Sequence, residues 1–165
     1  MEFMVRHSLQ WLLHLLIAAA VFSAPAQVMA CIPGLQWGMD STTVEQRLEI
    51  SLETARFLRA DSSAVYRVSN QHIGELPVEQ LDLRFGRQGL EQLVYSLPGD
   101  AMTEVLAGLR TRYGSPVSRT INHTDQIPQQ IWIWNTEDDC ITAVRAEDQT
   151  FLLSYRPSRL RPSLL

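Results

Sequence analysis

The sequence contains no lysine: all 14 basic side chains among its 165 residues are arginine. Schiff-base chemistry and P-loop phosphate binding both need a lysine amine and are excluded. Positive charge is also outnumbered, with 18 acidic groups, a net charge of −4 and a pI near 5.5. A nucleic-acid-binding surface needs the opposite balance. Cysteine is limited to Cys31 and Cys140, too few for a zinc site unaided. No Gly-x-Ser-x-Gly occurs, and Ser96, Ser115 and Ser154 have no histidine near them in sequence, so nothing marks a nucleophile elbow. Beyond residue 30 there is no long apolar run, which argues against a multi-span membrane protein. With no motif of known chemistry, no cofactor, catalytic residue or resident metal is expected.

What remains, 45% hydrophobic and 19% charged residues, is the profile of one ordinary globular domain. Residues 1–30 carry Arg6, an apolar stretch from Leu12 to Phe22 interrupted by His14, and then small residues. This is the layout of a secretory signal peptide, and the stretch is shorter than the ~20 residues that span a bilayer. Cleavage fits after Ala26 or after Ala30. The first points to a periplasmic or secreted chain. The second places Cys31 at the new N-terminus, where lipidation would make an outer-membrane lipoprotein the alternative. In an oxidising compartment Cys31 and Cys140 form a natural disulfide pair. It would close a loop of more than a hundred residues, worth roughly 4–5 kcal/mol in the chain-entropy model. Lipidation and a disulfide compete for the same sulfur.

Thr42 and Glu45 have capping-box spacing, and Val44 and Leu48 start a helical period. Residues 51–59 fit helix and strand alike. From Val65 the period changes to two, predicting strands over 65–73, 79–86 and 90–97, with Leu81, Leu83 and Phe85 on one face. Gly86-Arg87-Gln88-Gly89 is a hairpin turn. Asp100 is a candidate N-cap for a second helix carrying Met102, Val105, Leu106, Leu109 and Tyr113, and Gly114-Ser115-Pro116 stops it. Strands follow near 117–121, 129–135, 140–146 and 150–156. Helix-then-strands occurs twice. A shift of 61 residues places Val44 on Val105, Leu48 on Leu109, Arg84 on Arg145 and Gln88 on Gln149. Leu93 and Tyr95 then fall on Ser154 and Arg156, a mismatch that a bulge or one-residue slip would repair. The expectation is an α+β fold of tandem helix-plus-antiparallel-strand repeats sharing one sheet, helices on one face. The domain covers 31–156, with repeats at 40–97 and 100–156, and 157–165 is a loose tail.

Three strings carry a resemblance: Gly34-Leu35-Gln36-Trp37-Gly38-Met39 followed by Val44 and Leu48, Leu83-Arg84-Phe85-Gly86-Arg87-Gln88-Gly89-Leu90 followed by Tyr95, and Leu109-Arg110-Thr111-Arg112-Tyr113-Gly114-Ser115-Pro116. With them, roughly residues 34–156 resemble small exported bacterial proteins of the β-lactamase inhibitory protein-like fold, shared with small outer-membrane-assembly lipoproteins. The resemblance implies fold and compartment, and brings no catalytic residue. The chain departs from the pattern in having no Gly or Pro after its first helix.

Ile131-Trp132-Ile133-Trp134 puts the tryptophans on one strand face and the isoleucines on the other. Either the strand is buried on both sides, or one pair is open to a protein partner, with Trp132 and Trp134 as the candidate contact. A non-catalytic binding or envelope-assembly module is the leading expectation. The alternative is a small envelope enzyme using His123, which with the acidic turn Glu137-Asp138-Asp139 could form an oxygen-and-imidazole site. His72 reads as a strand-end residue.

Overall fold

The computed structural model describes residues 32–58, 63–122, 129–145 and 150–159. Among them lie two α-helices, α1 (Ser41–Leu48) and α2 (Met102–Tyr113). The strands are β1 (Glu53–Leu58), β2 (Ser63–Val68), β3 (His72–Ile73), β4 (Leu76–Pro77), β5 (Gln80–Gly86), β6 (Gly89–Pro98), β7 (Ser118–Asn122), β8 (Gln129–Asn135), β9 (Asp139–Arg145) and β10 (Thr150–Pro157). Eight strands form one sheet in the order β1-β2-β5-β6-β10-β9-β8-β7, antiparallel throughout, while β3 and β4 make a separate hairpin. The fold class is α+β, dominated by the sheet.

Strand alternation sorts the side chains. Register pairs Leu81 with Tyr95, Leu83 with Leu93, Leu97 with Phe151 and Tyr155 with Ile141. These buried residues share the inner face, where one cluster also takes in Val44 of α1 and Val105, Leu106 and Leu109 of α2. β6 keeps its large residues inward only because of a bulge: Arg84 pairs with Gln92 and Phe85 with Leu90, leaving Glu91 as the extra residue. In a regular strand Leu90 and Leu93, three residues apart, would point to opposite faces.

Local chemistry corrects several expectations. Asp40, not Thr42, caps α1: its carboxylate accepts from the Thr43 amide at 2.9 Å and the Thr43 hydroxyl at 2.7 Å. The Thr43 hydroxyl first, then the backbone amide, holds the Asp40 carboxyl below its ordinary value. Glu45 does not complete a capping box but accepts from the Leu52 amide at 2.8 Å. The helix ends without glycine because Glu49 itself takes the left-handed conformation, φ 52°. Residues 53–58, open to either reading in the sequence, are strand. The strand expected over 65–73 breaks at Asn70, φ 58°, from which the β3–β4 hairpin departs. Asp100 makes no cap, since Gly99–Ala101 is a 3-10 turn running straight into α2 with helical backbone already at Ala101. The C-terminal segment is tied further than expected, with β10 reaching Pro157 and the Ser158 amide donating to the Asp138 carbonyl at 2.7 Å.

The Gly86–Gly89 turn is clasped by the segment before α1: the Leu90 amide donates to the Met39 carbonyl at 2.7 Å and the Gly38 amide to the Leu90 carbonyl at 2.9 Å. Gly89 sits at φ +90°, and a Cβ there would stand 2.2 Å from the Gly38 carbonyl oxygen. Left-handed backbone and a rigid obstruction combine, so Gly89→Ala is expected to cost about 2–4 kcal/mol, read as a lowered urea midpoint.

Candidate binding surfaces

The sheet face opposite the core carries a different chemistry at each end. On β2 and β5 it is polar: the Arg67 guanidinium stands 3.3 Å from the Asp82 carboxylate, which also accepts from the Gln80 amide at 2.8 Å. Past β6 it turns aliphatic. Ile131 pairs with Val144, which pairs with Leu152, and Thr142 lies between Ile133 and Ser154, with Val94 beyond. Ile131, Ile133, Val144, Leu152 and Val94 are each partly exposed and form a contiguous patch with serines and threonines between them. The buried outer-face side chains are Val65 and Gln92, and the Gln92 amide donates to the Ser154 hydroxyl at 2.7 Å. Both described helices pack into the inner-face cluster, so neither covers this patch.

Trp132 and Trp134, the candidate contact pair, lie on the inner face, 3% and 1% exposed. The Trp134 indole donates to the Gly114 carbonyl at the end of α2 at 2.9 Å. The helix-covered face is the one able to bury two indoles, each some 150–250 Å². A partner could reach them only by opening the core, so the accessible pair of the strand is Ile131 and Ile133.

A second feature sits over the inner face. A cleft of about 230 Å³ is bounded by Ile32 and Pro33, by Gln71–Gly74 of the β3–β4 hairpin, by Arg112 of α2, and by Tyr95 and Tyr155. His72, a strand-end residue as expected, is exposed at its wall.

Asp139 is only 6% exposed, and its carboxylate accepts from the Trp37 indole at 2.9 Å. Desolvation raises the Asp139 carboxyl above its ordinary value; the Trp37 hydrogen bond opposes this, the Asp138 charge adds to it, and Arg112 offsets it. A carboxyl that holds its proton more tightly folded than unfolded favours folding at low pH, and loses that contribution as pH rises through its folded value. An asparagine carbonyl can still accept from Trp37. Asp139→Asn is therefore expected to match or exceed the parent's stability at neutral pH and to flatten the fall in stability as pH rises above the ordinary carboxylate range, measured as urea midpoints.

Glu137, Asp138 and Asp139 do not gather into a metal site: among the described residues no three His, Cys, Asp or Glu side chains are placed to hold an ion. His123 lies outside the described residues. Cys140 is a free, half-buried thiol on the outer face, paired in register with Asn135 and Arg156, and Cys31 also lies outside the described residues. The same holds for residues 1–30. No described helix is long and apolar enough to cross a membrane. Comparison of the chain with protein families, with curated proteins and with solved structures returns no match.

Proposed function

We propose that this chain is an exported, non-catalytic binding or envelope-assembly module that contacts a protein partner through the outer face of its sheet. The observation that carries this reading is the aliphatic patch of Ile131, Ile133, Val144, Leu152 and Val94 on the face opposite both helices. A half-exposed patch with interspersed hydroxyls has the composition of a protein contact, where apolar area supplies affinity and polar neighbours keep the free chain soluble. Export rests on the signal-like residues 1–30.

We further propose that the domain is a tandem duplication with the β-lactamase inhibitory protein-like architecture. Supporting this are the two series of one helix and four sheet strands, arranged outward from the central pair β6 and β10, with the β3–β4 hairpin as an insertion in the first. The Glu91 bulge accounts for the mismatch at an offset of 61: past it the offset is 60, and Leu93 and Tyr95 fall on the inward-facing Leu153 and Tyr155. On β5, ahead of the bulge, the match of Arg84 to Arg145 at 61 is not kept by the sheet: Arg84 pairs with outward Gln92, and Arg145 with inward Phe151.

A photo-crosslinking residue placed at Val144 or Leu152 in cells tests the surface. The expected result is one discrete protein adduct from these positions and none from Thr111 on the exposed side of α2. Equal labelling from both faces would overturn the reading. Loss of a hydrolytic activity in His123→Ala would move the chain to the enzyme alternative.

A further inference from the structure

The inner-face cleft lies away from the proposed partner surface and has its own chemistry. Its floor is aromatic: the rings of Tyr95 and Tyr155 meet edge to face, centroids 6.1 Å apart. Apolar walls come from Ile32, Pro33 and Ile73. The charged group at the rim is Arg112, in the last turn of α2, whose guanidinium lies 5.2 Å from the Tyr113 ring centroid. Arg112 makes no hydrogen bond or ion pair to any described residue, and the ion pair formed among them is Arg67 with Asp82. His72 on the facing hairpin likewise has no hydrogen-bond partner among the described residues. Asp139, the acid whose carboxyl feels the Arg112 charge, is buried and engaged by Trp37. The cleft therefore offers at its mouth two side chains without a hydrogen-bond partner among the described residues, and an apolar, aromatic interior.

We propose that this cleft binds a small carboxylate, its oxygens paired with the Arg112 guanidinium and facing His72, its apolar body set against Ile73, Pro33 and the tyrosine floor. A guanidinium fork matches carboxylate geometry. At about 230 Å³ the space falls below that of drug-sized pockets and suits a body of one side chain. The same chemistry has two sources: a free acid, or the last residue of a peptide chain. The inference is independent of the outer-face reading.

Titration of the intact chain with phenylacetate, N-acetylphenylalanine and N-acetylphenylalanine amide, followed by NMR, tests it. Saturable binding of an acid below about 10 mM is expected, weakened about tenfold or more in the amide and in Arg112→Gln. Arg112 is exposed and loses only its contact with the Tyr113 ring and its field at Asp139, so the variant should melt within a few degrees of the parent. Tighter binding of N-acetylphenylalanine than of phenylacetate would assign a chain terminus, and equal binding a free acid. Absence of saturable binding by both acids, equal binding of the amide, or unchanged affinity in Arg112→Gln would overturn the proposal.

Discussion

Trp134→Ala is expected to lower the unfolding free energy by about 3–5 kcal/mol, a large share of the ~5–15 kcal/mol typical of a single domain. Two losses add. The side chain is 1% exposed, so its removal opens a cavity in the core, and the Gly114 carbonyl loses the indole donor that tethers the end of α2 to β8. Trp132 separates these contributions. It is 3% exposed, but its indole nitrogen has no hydrogen-bond partner among the described residues. Trp132→Phe should therefore cost less than Trp134→Phe, by about 1 kcal/mol, the worth of a typical hydrogen bond. Ile133→Thr, one residue away on the opposite face, should cost about 1 kcal/mol or less, since it is partly exposed and stays β-branched. Urea denaturation of the four variants measures all of this. Near-equal costs for Trp134→Ala and Ile133→Thr would contradict the assignment of the two faces.

Cutting the chain ahead of Pro98 is expected to abolish cooperative folding of each piece. The cut falls where β6 ends and the turn into α2 begins, so the pairing of β6 with β10 is divided between fragments. A fragment spanning 98–165 would carry Phe151, Leu153 and Tyr155 on an edge strand without Leu97, Tyr95 and Leu93 beside them. Units of about 60 residues are near the size at which one core barely sustains a fold. Circular dichroism should show a single melting transition for the intact chain and none for fragment 98–165. Cooperative melting of that fragment would mean two independent domains.

Much of the sheet is legible in the sequence because half-buried strands announce themselves by alternation. Leu81, Leu83 and Phe85 share a buried face as their spacing predicts, and α2 buries Val105, Leu106 and Leu109 from its expected stripe. Helix starts were less readable. Asp40 and Asp100 are both plausible caps by residue type, and only the backbone entering each helix decides that Asp40 caps while Asp100 does not. The site was half legible for a related reason. Alternation separates Trp132 and Trp134 from Ile131 and Ile133, but it cannot say which face the helices cover; that follows from contacts with α2, at Gly114 and in the inner cluster. The remaining patch residues, Val94, Val144 and Leu152, come together through register across three further strands. In the sequence Asp139 is one of three consecutive acids, Glu137-Asp138-Asp139, with nothing to mark it as buried. Its burial depends on Trp37, 102 residues earlier, a pairing with no local trace.

The most direct measurement combines stability and binding in one variant, Ile131→Ser with Ile133→Ser, carrying the photo-crosslinker at Val144. If the outer face is the partner surface, the variant should melt within a few degrees of the parent while losing the adduct. A variant that melts early and keeps the adduct would contradict the account, assigning the isoleucines to stability and the partner to another surface.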